Sequence, residues 1–145
     1  MKAVLGIAVA IVACATAWGN EAISPLGLWR TVDDSTGKPT SYVRISEAAG
    51  VFTGTVEKFI VPPATSTCEL CTDGRKNQPI LGMTIMRNVR QTGDDAWGGG
   101  DILDPNNGKV YDVRLKLEDG GKLLDVRGYI GVPLLGRTQT WQRVE

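Results

Sequence analysis

Apolar and polar positions alternate with a period of two along much of the chain, the mark of strands that bury one face. KVYDVRLKLE (109–118) shows it best: Tyr111, Val113, Leu115 and Leu117 fall on one side, Asp112, Arg114 and Lys116 on the other. SYVRISE (41–47) puts Val43 and Ile45 on one face and Tyr42, Arg44 and Ser46 on the opposite one. In VFTGTVEKFIV (51–61), Phe52, Gly54 and Val56 share a face, and Pro62-Pro63 then stops the strand because proline cannot donate to a ladder. KLLDVRGYIG (122–131) turns Leu124, Val126 and Ile130 inward. GLWRTV (27–32), ILGMTIMRNV (80–89), the glycine-rich DAWGGGDILD (95–104) and GRTQTWQRV (136–144) complete the set. No stretch has a helical period.

Turn chemistry joins these segments. DDSTGKP, EAAG, the Asn-Gly tip of PNNG (105–108) and DGG each fall between two strands. About eight strands joined mostly by hairpin turns predict an all-β fold, a single antiparallel up-and-down β-barrel or a sandwich. The barrel is preferred because closure removes the edges that an open sheet would have to protect. One connection stands apart. Pro62 to Pro79 is long for a compact domain, hence functional or cross-linked.

The N-terminus has a different pattern. Lys2 precedes the apolar run Ala3 to Ala13, and Ala15-Thr16-Ala17 follows as a small-x-small cleavage site. Residues 1–17 therefore read as a secretion signal, residues 22–145 as one barrel domain, and the protein as periplasmic or secreted. The run falls short of the roughly 20 apolar residues needed to span a bilayer, so no transmembrane segment is expected after cleavage. The alternatives are a buried helix and a lipoprotein signal, with Cys14 as the lipidated residue.

Charge and composition narrow the function. Sixteen basic residues balance sixteen acidic ones, which argues against nucleic acid and against electrostatic docking on a membrane. Histidine is absent, which excludes a Ser-His-Asp triad, a Cys-His pair and any His-ligated zinc. No catalytic constellation emerges, so a non-enzyme with no cofactor and no metal is expected. Nothing in the chain specifies an oligomeric state.

GLW (27–29) and TWQR (140–143) resemble the calycin superfamily of lipocalins, avidins and fatty-acid-binding proteins. Those proteins open their first strand with Gly-x-Trp, and lipocalins lay an arginine of the last strand across that tryptophan. The resemblance implies that Trp29 and Arg143 close the barrel floor through a cation–π contact. The second lipocalin motif, Thr-Asp-Tyr, is absent. A broader similarity runs through DDSTGK (33–38), RKNQPILGM (75–83), GGGDILDPNNGKVY (98–111), VRGYIG (126–131) and LLGRTQTWQR (135–143). These look like a bacterial domain-of-unknown-function family of small exported proteins (family number 2147), which implies a calycin-like barrel and brings no activity with it.

The candidate sites follow from that barrel. An apolar pocket would draw on Trp29, Tyr42, Phe52, Met83 and Tyr111, with Trp97 and Tyr129 in the same aromatic set; the alternative is that these side chains simply fill the core. Arg127 and Arg137, together with Arg75-Lys76 beside the cysteine loop, could receive an anionic group; otherwise Arg127 faces outward and pairs with Asp125 or Asp112. Asp33 and Asp34 read as an Asx-turn with a left-handed Gly37 rather than a calcium loop. Cys68 and Cys71 lie in the long loop as Cys-Glu-Leu-Cys. A zinc site lacks ligands, a thioredoxin-like pair needs a helix N-terminus, and an oxidising compartment favours a local disulfide. The primary reading is a barrel that binds a small apolar or amphipathic ligand. The alternatives are an envelope-interaction protein with a filled barrel and a thiol-disulfide protein using Cys68 and Cys71.

Overall fold

The computed structural model describes residues 23–145. The expected secretion signal, residues 1–17 with Cys14, lies outside the described residues. Eight strands form one closed barrel in sequence order: β1 (Gly27–Val32), β2 (Pro39–Ala48), β3 (Val51–Phe59), β4 (Thr84–Gln91), β5 (Ala96–Asp104), β6 (Lys109–Glu118), β7 (Leu123–Tyr129) and β8 (Arg137–Arg143). Every neighbouring pair is antiparallel. The expected up-and-down barrel is therefore the fold. The seam is short, with Trp29 opposite Arg143 and Arg30 opposite Gln142.

Local alternation decides which side chains enter the barrel. Val113, Leu115 and Leu117 of β6 are buried while Asp112, Arg114 and Lys116 are exposed, as the pleat requires. Val43 and Ile45, Phe52 and Val56, and Leu124 and Val126 also point inward as expected.

Two expectations need correction. The segment predicted over 80–89 enters the sheet only at Thr84, opposite Thr55. Ile80 to Met83 instead form a turn, with the Met83 amide donating to the Ile80 carbonyl and Gly82 in a left-handed conformation. Their apolar character serves to bury Ile80 and Met83 beneath the loop, which mimics a strand in sequence. Ile130 was expected inward but is 63% exposed. The strand ends at Tyr129, and one residue beyond the rim there is nothing left to pack against.

A meander of this kind sends its connections alternately to two ends. The β2–β3, β4–β5 and β6–β7 turns share one end with residues 23–26. The β1–β2, β3–β4, β5–β6 and β7–β8 connections share the other.

Candidate functional site

The two ends of the barrel differ in kind. At the first, Trp29 is fully buried and its Nε1 donates to the Pro25 carbonyl at 2.7 Å. The Arg143 guanidinium lies 4.3 Å from the indole centroid and donates to the carbonyls of Ser24, Leu26 and Gly121, each at 2.6 Å. Burial pushes the Arg143 pKa below its usual value. Ile45, Leu115 and Leu124 fill the barrel above this floor, and Phe52 meets Trp97 edge-on at 6.2 Å. This half is solid core.

The other half is a cup. A cavity of about 960 Å³ opens at the four-loop end. Its apolar wall includes Val43, Val56, Phe59, Ile85, Val126 and Trp141. Polar groups enter at three places. Thr31, which is only 6% exposed, shares its hydroxyl with those of Thr40 (2.9 Å) and Ser41 (2.8 Å). Trp141 Nε1 donates to Gln139 Oε1 at 2.9 Å, which leaves the Gln139 amide NH₂ to donate elsewhere. The Tyr111 hydroxyl accepts from Asn107 Nδ2 at 3.1 Å and keeps its own proton for another acceptor. At the rim, Arg137 pairs with Asp34.

The expected pocket residues divide accordingly. Tyr111 and Arg137 lie on the cup, as does Tyr129. Trp29, Phe52 and Trp97 point inward but belong to the solid half, because an inward position says nothing of height along the barrel axis. Met83 lines a shallow groove with Arg75, Gln78, Thr84 and Arg87 instead. Tyr42 stands on the opposite face of β2 from the cup residues Ser41 and Val43, and does not line the cup. Arg127 was expected either to receive an anionic group or to face outward and pair with Asp125 or Asp112. It donates instead to the carbonyls of Pro133 (2.7 Å) and Leu134 (3.4 Å) and to Thr138 Oγ1 (2.8 Å). It braces the β7–β8 loop and is not presented to the cup. Thr31, Thr40, Ser41 and Gln139 were missed because uncharged polar residues on a strand look like solvent-facing positions.

Asp33 serves its own turn. Its Oδ1 accepts from the Ser35 and Thr36 amides (both 2.9 Å), and Gly37 takes φ +67. The Ser35 hydroxyl, followed by the Thr36 amide and hydroxyl, holds the carboxyl below its ordinary pKa. Among the described residues, no three acidic or cysteine side chains gather closely enough to hold a metal ion.

The long loop forms one wall of the cup through Val61, Pro62, Pro63, Ala64 and Ile80. Cys68 and Cys71 are joined in a disulfide, and both are buried, at 0% and 1% exposure. The bonded segment packs against the β5–β6 hairpin so closely that a Cβ at Gly108 would stand 2.0 Å from the Leu70 carbonyl oxygen. The bond thus shapes the part of the β3–β4 loop that packs on the β5–β6 hairpin. A bridge so short in sequence stabilises by about 2 kcal/mol on the loop-entropy account. A Cys68→Ser, Cys71→Ser variant is therefore expected to melt roughly 6 °C earlier with the barrel still folding, while proteolysis within 62–79 becomes much faster. Collapse of the whole barrel in that variant would show that the bond holds the fold itself.

The same loop carries a pH-sensitive contact. Asp73 pairs with Arg75, whose side chain also donates to the Thr84 carbonyl at 2.9 Å. The Arg75 side-chain and backbone hydrogen bonds hold the Asp73 pKa down at about 2. A carboxyl depressed in the folded state contributes above its unfolded pKa of about 3.9 and loses that contribution as pH falls toward 2. Amide protection factors in residues 73–84 are expected to fall over that interval, and Asp73→Asn should remove the pH dependence of that protection while leaving the rest of the barrel unchanged.

A profile described as "Uncharacterized protein conserved in bacteria (DUF2147)" matches residues 27–143. The fold is similar to a solved structure described as protein HP1028 from the human pathogen Helicobacter pylori, belonging to the lipocalin family. The TM-score is 0.74 at 22% identity, over 85% of this chain and 84% of that one. No curated protein matches.

Proposed function

The chain belongs to the bacterial DUF2147 family, and from that premise and the geometry of its barrel we propose that it is an exported carrier of a small amphipathic molecule. The cup carries this reading. At about 960 Å³ it lies at the upper end of the roughly 300–1,000 Å³ range of small-molecule sites, and its wall is mostly apolar with a few fixed polar groups. The apolar part of the ligand would lie against the half-buried Phe59 and Ile102 and the ring of Tyr111. Its polar group would meet the Thr31–Thr40–Ser41 hydroxyls, the Gln139 amide or the Tyr111 hydroxyl, with Arg137 at the rim for an anionic head.

Binding without turnover suits this lining, since hydroxyls and an amide can orient a ligand, while the carboxylates at the mouth are engaged by their own turns (Asp33, Asp104) or by Arg137 (Asp34). The open upper half favours binding over a filled envelope-interaction barrel. The buried disulfide speaks against thiol exchange, which needs access to a sulfur, and an exported protein would keep such a bond oxidised.

Native mass spectrometry of protein purified from its own host tests the proposal. A retained molecule of lipid or small-metabolite mass is the expected result. Val126→Trp, which fills the cup from β7, should displace it and weaken uptake of a fluorescent fatty-acid analogue by about tenfold or more. Protein that emerges empty and takes up no such probe would overturn the assignment.

A further inference from the structure

The mouth of the cup carries an apolar surface that binding inside the cup does not use. Leu134 and Leu135 are 86% and 78% exposed, and Ile130 and Val132 of the same loop are exposed as well. On the β3–β4 loop, Ile60 and Val61 are exposed in the same way. Single exposed apolar residues need no explanation, but clusters on two loop tips beside one cavity do. The β7–β8 tip is also held in place. Arg127 grips the Pro133 and Leu134 carbonyls, and the turn closes through Leu135 N–H to the Val132 carbonyl (3.2 Å) and Gly136 N–H to the Pro133 carbonyl (3.1 Å). The four side chains are presented outward by a braced backbone.

We propose that these two tips seat the open end of the barrel on a neutral, zwitterionic phospholipid bilayer. Topology supplies the first reason. In a closed ring of eight strands, the β3–β4 and β7–β8 connections stand on opposite sides of the mouth. A plane laid across the rim meets both tips at once and brings the cup opening against itself, whereas a groove-bound peptide would engage one. Continuity supplies the second. Val61, Ile130 and Leu135 belong both to the exposed rim and to the cavity lining, so an acyl chain leaving the bilayer would pass over apolar surface throughout.

Charge decides the kind of membrane. IGVPLLG (130–136) contains no charged residue. Among the residues lining the mouth, Asp33, Asp34 and Asp104 face one basic side chain, Arg137, which Asp34 already pairs. Around the whole rim, Lys38, Arg75, Lys76, Lys109 and Arg137 balance Asp33, Asp34, Glu69, Asp73 and Asp104, so it carries no net charge to draw it to an anionic surface, and no basic cluster of the kind that holds phosphatidylserine-type lipids is present in the cup lining. Attachment therefore rests on buried apolar area, as in interfacial segments that insert a few leucines below the headgroups. Docking stands apart from the ligand reading; only the transfer of a lipid into the cup rests on it.

The test is flotation of the purified protein, expressed from residues 1–145, with vesicles of phosphatidylcholine alone or mixed with phosphatidylglycerol. Flotation with the neutral vesicles, unchanged by high salt, is expected, and Val132→Asp, Leu134→Asp should weaken it about tenfold or more. Both positions are exposed and neither lines the cup, so melting temperature and uptake of a soluble fatty-acid analogue should be unaltered in that variant. Val61→Asp on the opposite tip is expected to weaken flotation independently. A wild-type protein that stays off neutral vesicles, flotation that needs phosphatidylglycerol or is abolished by salt, or undiminished flotation of both variants overturns the proposal. So does a mouth-to-mouth dimer in sedimentation that both variants abolish, with no vesicle binding. Loss of probe uptake with flotation intact would count against the ligand reading alone.

Discussion

Arg143→Ala is expected to cost about 3 kcal/mol and to lower the melting temperature by roughly 10 °C. The guanidinium is the hub of the barrel floor. It reaches three backbone carbonyls from two separate segments, Ser24 and Leu26 before β1 and Gly121 after β6, each at 2.6 Å. It also covers the indole of Trp29, which has no exposed surface. Alanine would leave those carbonyls without their donor and open one face of the indole to water. Charge-assisted hydrogen bonds are worth more than neutral ones, and the seam they support is short, since β1 and β8 pair at only Trp29–Arg143 and Arg30–Gln142. Arg143→Lys should recover less than half of the loss, because one ammonium cannot present the planar fork that serves three acceptors and stacks on the ring. Thermal melts of the two variants provide the check. An unchanged melting curve for Arg143→Ala would mean that water satisfies the carbonyls as well as the guanidinium does.

Gly100→Ala is expected to be about as damaging, at roughly 3 kcal/mol, for a steric reason. A Cβ at Gly100 would stand 2.1 Å from the Arg87 carbonyl oxygen and 2.7 Å from both Asn88 C and Val89 N. All three are backbone atoms of the neighbouring strand, so no side chain can swing aside, and β4 and β5 would have to part. The adjacent glycine supplies the control. Gly99 has φ +77 and nothing within 4 Å of its would-be Cβ, so Gly99→Ala should cost only about 1 kcal/mol of left-handed strain. Urea denaturation of the pair should separate the two mechanisms; equal midpoints would mean that the strands part more easily than the geometry implies.

These two glycines show where reading the chain stops. GGG at 98–100 announces irregular backbone, and it does sit at a break in the β5–β6 register. Which of the three lies against another backbone depends on the stagger between β4 and β5, and nothing in the local sequence records that. Arg143 was legible for a different reason. The Gly-x-Trp opening and the final Trp-x-Arg resemble a known way of closing a barrel, and the resemblance placed the pair correctly on the floor. Arg127 gave no comparable signal, because a strand arginine flanked by Asp125 and Asp112 looks like an ion-pair partner. Its role emerged only when the β7–β8 loop folded back over it. Ile80 to Met83 misled because burial under a loop and burial in a strand select the same residues.

Period-two alternation fixed which side chains face the barrel interior, because the pleat is a property of each strand alone. Turn residues fixed the order of hairpins for the same local reason, and the spacing of Cys68 and Cys71, in a chain whose start reads as an export signal, pointed to their bond. Height along the barrel axis was decided elsewhere. Trp29, Phe52, Tyr111 and Val126 all point inward, yet the first two lie in solid core and the last two line the cup. That division depends on how far each strand is shifted against its neighbours as the sheet closes, a sum over eight pairings. No single stretch of sequence contains it, and so only the closed barrel could show that half its interior is filled and the other half open.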